Sequence, residues 1–188
     1  MEQYNFTHHN IHETIRCQRN FDWNNQVTPE HLAILDEYVQ KPPQQCGERA
    51  TTVIKIHNNF EKVYDLSMKL DKENWQIVAP LVYVWTSNDT QPDEKFFAGF
   101  HSGIVSKIAN ELGYQTGFCA CGNGGDAQLM KHWSLANGLT DDNYHHMEFI
   151  LSIGHGELDK AYNDNGSYVE DQSSHTHSPY NWPEVKEL

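Results

Sequence analysis

The sequence predicts a layered α+β domain, on three observations. Two short runs, Ile77 to Trp85 (IVAPLVYVW) and Met147 to Ile153 (MEFILSI), are apolar on both faces, as strands in the middle of a sheet are. A long stretch from Asp93 to Leu112 repeats its apolar residues at helical spacing. Strand-like and helix-like patterns interleave along the chain, so helices are expected to cover a sheet.

The expected order is helix, helix, strand, helix, strand, long helix, strand, helix, strand and tail. Thr28-Pro29-Glu30 starts the best-marked early helix, with Thr as N-cap, Pro at the first helical position and an acid near the positive dipole end. Leu32, Leu35 and Val39 follow at helical spacing, and Lys41-Pro42-Pro43 stops it. TTVIKIH, Thr51 to His57, is β-branched and reads as a strand. Phe60 to Leu70 is expected to be helical, with Val63, Leu66 and Leu70 on one face. The strand at Ile77 to Trp85 comes next. In the long helix, Phe97, Ile104, Val105, Ile108 and Leu112 form the expected buried stripe, and Gly113 is the stop. Thr116 to Cys121 is a short strand running into the turn Gly122-Asn123-Gly124-Gly125. Asp126 then opens a helix carrying Leu129, Met130 and Trp133, and Met147 to Ile153 closes the sheet. Two regions result: a domain over residues 1–156, and a polar arm over 157–188 rich in Asn, Ser and His that has little to pack by itself.

Charge narrows the function. Lys and Arg number 13 against 26 Asp and Glu, a formal net charge of −13 over 188 residues. Such a field repels phosphate backbones and anionic lipid, which argues against nucleic-acid or membrane-surface binding. No apolar run is long enough to span a bilayer. The N-terminus shows no basic segment followed by an apolar one, and the four cysteines Cys17, Cys46, Cys119 and Cys121 read as reduced thiols. A cytoplasmic protein is the expectation.

Against that acidic background the three arginines are informative: Arg16, Arg19 and Arg49. Arg16 and Arg19 converge on one anion if their segment is helical, and guanidinium offers planar, bidentate donors for phosphate. The alternative is a surface pair answering the surplus acids. The segment Cys119-Ala120-Cys121-Gly122-Asn123-Gly124-Gly125 lets backbone approach a flat ligand closely, or is an ordinary strand-to-helix turn. It matches neither a Walker loop nor the dinucleotide fingerprint. Histidines at His8-His9, His12, His145-His146, His175 and His177 lack the spacing of a defined metal site, and no metal is expected. No nucleophile elbow is present.

Taken in order, these motifs resemble the nitroreductase-like FMN-dependent oxidoreductases. The basic opening motif of that family is matched by Ile15-Arg16-Cys17-Gln18-Arg19-Asn20-Phe21, followed by the proline-started helix at Thr28-Pro29-Glu30 and the loop Pro42-Pro43-Gln44-Gln45-Cys46. Ala79-Pro80 resembles the family's central strand start. Gly99 and Ala109-Asn110-Glu111-Leu112-Gly113 resemble its long helix, Gly113 to Gly122 its next strand, and Ile150 to Gly154 its closing strand and glycine. The likeness runs from about Ile15 to Gly156.

The resemblance implies a nitroreductase-like layered α+β fold. Its central sheet would be mixed and mostly antiparallel, flanked by helices, in an entwined homodimer with FMN at the interface. Arg16, Cys17, Gln18 and Arg19 would hold the phosphate and ribityl chain. Gln44, Gln45 and Cys46 would lie along the flavin's polar edge, and the backbone of Cys119, Ala120, Cys121 and Gly122 would face the ring. Residues 157–188 would be an arm over the other subunit. The implied activity is NAD(P)H-dependent reduction of a small acceptor such as a nitroaromatic or quinone, by ping-pong kinetics and with no side-chain acid or base required. Ile15 and Cys46 depart from the family pattern, and no C-terminal Arg/Lys cluster completes the phosphate site. Those departures motivate the alternative of a non-catalytic flavin-, metal- or partner-binding protein that keeps the fold.

Overall fold

The computed structural model of the chain describes residues 18, 20–42, 51–71, 77–87, 92–119, 146–156, 161–162 and 168–169. Helix α1 spans Pro29–Gln40. Thr28 is in an extended conformation and its Oγ1 accepts from the His31 N–H at 3.3 Å, so the cap read from the sequence forms. Strand β1, Thr51–His57, is followed by α2, Phe60–Asp71. Between them Asn58 takes a positive φ of 49°, a conformation asparagine tolerates, and the Asn59 Oδ1 accepts from the Lys62 N–H at 3.1 Å. Strand β2 is Leu81–Ser87, α3 is Pro92–Glu111, β3 is Gln115–Cys119 and β4 is His146–Gly154.

The four strands form one sheet in the order β1-β2-β4-β3, and all three pairings are antiparallel. The sheet separates two cores. Val82, Val84 and Ile150 point to one side with Ile56, Cys119 and Met147, and meet Val63 and Leu66 of α2. Leu81, Tyr83, Trp85, Leu151 and Ile153 point to the other, against Leu35 of α1 and Ala98, Val105 and Ala109 of α3. Each fully buried aliphatic side chain contributes roughly 1.5–3 kcal/mol, so both faces of β2 and β4 are stabilising. The arrangement is three-layered: α2, sheet, then α3 with α1 packed beside it.

A bulge adjusts β4. Trp85 pairs with Phe149 but Thr86 pairs with Met147, leaving Glu148 as the extra residue. Met147 therefore shares a face with Ile150, while Phe149 joins Leu151 and Ile153 on the other.

Two expectations change. The apolar run from Ile77 is not strand throughout: pairing begins at Leu81. Pro80 has no N–H for a ladder, and ahead of it the chain turns, with the Ala79 N–H donating to the Ile77 carbonyl at 2.9 Å. Ile77, Val78 and Ala79 fill the α2-side core from that turn. The buried stripe of α3 is also different. Ala98, His101, Ser102, Val105, Ser106 and Ala109 are buried, while Phe97, Ile104, Ile108 and Leu112 are only half-buried. Small residues let the helix lie close to the sheet, and the polar ones are hidden because they are paired. Ser106 Oγ and Thr116 Oγ1 are 2.9 Å apart, and the Ser102 hydroxyl donates to the Gly99 carbonyl at 2.9 Å.

The end of α3 is as expected. Gly113 sits at φ +91°, with the Gly113 N–H donating to the Asn110 carbonyl at 3.0 Å and the Tyr114 N–H to the Ala109 carbonyl at 2.9 Å, a Schellman closure. In the polar arm, Ala161–Tyr162 (β5) pairs antiparallel with Tyr168–Val169 (β6). The expected helix after Asp126 lies outside the described residues.

Candidate functional site

The segment just before α1 crosses the ends of β3 and β4. The Gln18 N–H donates to the Thr116 carbonyl at 2.8 Å, which engages β3, the edge strand among the described residues. Phe21 pairs antiparallel with Gly156, and the Asp22 N–H donates to the His155 carbonyl at 2.8 Å. The Gly156 N–H in turn donates to Gln115 Oε1 at 2.7 Å.

Two glycines permit this crossing. A Cβ on Gly154 would stand 2.9 Å from Pro80 Cδ and 3.1 Å from Phe21 Cδ1. A Cβ on Gly156 would stand 2.7 Å from Gln18 Cδ and Nε2. At Gly154 the neighbours are the rigid Pro80 ring and Phe21, so that position needs hydrogen in place of a side chain, whereas at Gly156 the neighbour is the movable end of Gln18. The Gln18 amide occupies the space above Gly156 and donates from Nε2 to the Asn20 carbonyl at 2.6 Å.

A phenol joins the remaining pieces. Buried Tyr114 accepts from the Thr28 N–H at 3.2 Å, and its hydroxyl lies 2.9 Å from His31 Nδ1. Its ring packs on His155 with centroids 4.8 Å apart. The start of α1, the start of β3 and the end of β4 are thus tied at one point.

Of the residues the sequence singles out, Gln18 and Cys119 are described. They lie towards opposite ends of β3: Gln18 bonds to Thr116, which is three strand rises, or about 10 Å, from Cys119. The Cys119 side chain is buried on the α2 side of the sheet. Arg16, Cys17, Arg19, Gln44, Gln45, Cys46, Ala120, Cys121 and Gly122 lie outside the described residues. Gly154 and Gly156 were not singled out as site residues; their spacing two apart beyond an apolar strand was the available signal. Among the described residues no group of three or more His, Cys, Asp or Glu could hold a metal, and no helix is long and apolar enough to cross a membrane. Gln18, whose N–H is bonded to β3, lies in sequence between Arg16 and Arg19, and guanidinium is a donor type that suits a phosphate.

No protein-family model matches the sequence, and no curated protein does. Solved structures match at the level of fold. An FMN-dependent nitroreductase from Clostridium difficile R20291 superposes with a TM-score of 0.63 at 21% identity, covering 80% of this chain and 88% of that one. A nitroreductase with bound FMN from Bacteroides fragilis NCTC 9343 gives a TM-score of 0.67 at 12% identity, over 97% of this chain and 100% of that one. The chain has the nitroreductase fold. Bacillus megaterium NfrA2 shares the fold too, with a TM-score of 0.60 at 17% identity, covering 77% of this chain and 64% of NfrA2. At these identities the nitroreductase fold is shared while side-chain chemistry is free to differ.

Proposed function

We propose that this chain is an FMN-dependent oxidoreductase that passes electrons from NAD(P)H to a small acceptor such as a nitroaromatic or quinone. One observation carries the reading: the nitroreductase fold matches that of a structure with bound FMN along nearly the whole chain. Gln18 and Phe21, close in sequence to Arg16 and Arg19, bond to Thr116 of β3 and to Gly156 just beyond β4, which supports the reading of a phosphate site near the sheet's end.

In this reading Arg16 and Arg19 bind the phosphate, with Cys17 and Gln18 in the same segment. Gln44, Gln45 and Cys46 hydrogen-bond the polar edge of the flavin, and the backbone of Cys119, Ala120, Cys121 and Gly122 packs against its ring. When bound, FMN supplies the two-electron chemistry: hydride from the reduced nicotinamide in, and two electrons with protons from solvent out to the acceptor. The protein orients the ring, tunes it by hydrogen bonds and excludes water, and no side-chain acid or base is needed.

The outer face of α3 supports a homodimer. Phe96 and Phe100 are 67% and 51% exposed and stack with centroids 6.3 Å apart, and a Cβ on neighbouring Gly99 or Gly103 would meet nothing within 4 Å. A paired aromatic row beside two glycines is a surface a second helix can approach closely.

The test is to mix purified protein with FMN, remove free flavin, and follow oxidation of NADH and of NADPH with a quinone or nitroaromatic present. Retained flavin and acceptor-dependent oxidation are expected. Retained flavin without nicotinamide oxidation would favour the alternative reading of a flavin-binding protein, and absence of retained flavin would refute the proposal.

A further inference from the structure

We propose that two copies of this chain pair through α3 in antiparallel orientation about a two-fold axis, so that Phe96 of each copy lies over Gly103 of the other and the two Phe100 rings meet at the axis. The proposal rests on the homodimer reading above and adds to it the orientation and register of the two helices. It begins from residues that α3 does not use in its own packing. At about 100° per residue, Phe96, Phe100, Gly103 and Lys107 fall within about 60° of one another on the helix surface. All four are exposed, whereas Ala98, Val105 and Ala109 are turned to the sheet.

That stripe is complementary to itself in one orientation only. A closed dimer is two-fold symmetric, so α3 meets its copy either parallel or antiparallel. In the parallel arrangement each residue at the centre of the stripe meets its own twin. Phe96 would oppose Phe96, the bare surface at Gly103 would oppose the same bare surface, and the two Lys107 ammoniums would be brought together with the helix dipoles aligned. Antiparallel pairing, with the axis level with Gly99 and Phe100, reverses each of these. The Phe96 ring then faces a position where even a Cβ would meet nothing within 4 Å. Lys107, already paired to Glu111 of its own helix at 3.1 Å, moves away from its twin. It comes level with the first turn of the partner's α3, which begins Pro92-Asp93-Glu94, and the two dipoles oppose. Shape and charge therefore select the same arrangement.

Introduced cysteines read the arrangement, because a disulfide needs Cα atoms within about 7 Å. Full-length Phe96→Cys, Phe100→Cys, Gly103→Cys and the Phe96→Cys/Gly103→Cys double variant are oxidised mildly, with wild type as the control for the native cysteines, and covalent dimer is read on non-reducing gels. Covalent dimer above the wild-type level is expected from Phe100→Cys and from the double variant, but from neither Phe96→Cys nor Gly103→Cys alone. Cross-linking of Phe96→Cys or Gly103→Cys to its own twin would overturn the proposal. So would a dimer in light scattering that no variant cross-links. Monomeric wild type in light scattering would instead overturn the homodimer reading itself. Gly103→Leu gives a second measurement that needs no oxidation. Leucine is the better helix former, and its Cβ would meet nothing within 4 Å in the same chain, so the protomer is expected to keep its fold while the partner's Phe96 loses its seat. The dissociation constant of the dimer is expected to rise about ten-fold or more, and an unchanged constant would count against the register.

Discussion

His101 shows how a buried polar residue is held in α3. The Trp85 Nε1–H donates to His101 Nδ1 at 3.1 Å, so the ring carries its hydrogen on Nε2 and donates it to the Tyr38 carbonyl, 3.0 Å away. One imidazole thereby ties β2 to α3 and α3 to α1. His101→Phe keeps the bulk but strands a buried indole N–H, and is expected to cost about 1–3 kcal/mol in urea unfolding. Tyr83 offers a second test at this scale. Burial, and then the hydrogen bond it donates to Asp36 Oδ1 at 2.8 Å, push its phenol above the ordinary value. A phenol raised in the folded state contributes stability that is complete below the unfolded value of about 10 and is lost as the pH rises beyond it. Stability is therefore expected to fall as the pH rises above about 10, and to fall less in Tyr83→Phe, as read by urea midpoints across that range. Of the candidate residues, the arginine pair stands out in the sequence because arginine is scarce here, and it lies outside the described residues. The contact of Gly156 with Gln18 was not legible, because it joins distant parts of the chain and leaves no local pattern.

At the level of elements, local chemistry carried the reading. Thr28, Pro29 and Glu30 marked the start of α1, and Gly113 marked the end of α3, because caps and stops depend on neighbours in sequence. Long-range packing hid the rest. Ile77, Val78 and Ala79 are apolar because they are buried, not because they are strand, and hydrophobicity cannot separate the two. The face of α3 was misjudged because Ser106 and His101 are buried with partners on other elements, and Ser102 with one in the preceding turn of α3 itself. The close approach at the end of β4 yields a direct prediction. Gly154→Ala places a methyl against the rigid Pro80 ring and Phe21, and is expected to destabilise the fold by about 1–3 kcal/mol, read as a lower melting temperature. Thr28→Ala, by removing the α1 cap, is expected to cost about 1 kcal/mol in the same assay.

For the whole molecule, the layered α+β arrangement followed from the interleaving of patterns, and the structure places helices on both faces of the sheet as that implies. Assembly is the next level. Two copies meeting through α3 would cover Phe96 and Phe100, at roughly 1.5–3 kcal/mol for each ring fully buried. Phe100→Asp is expected to shift the protein from a dimer towards the 21.7 kDa monomer in light scattering, and to weaken flavin retention with it. The central claim, that this acidic chain uses its few arginines to hold a flavin phosphate, is tested most directly by gel filtration of the purified protein after incubation with FMN, watching flavin and protein absorption together. The account predicts flavin eluting with the protein at near-stoichiometric yield; flavin emerging entirely at the small-molecule volume would contradict it.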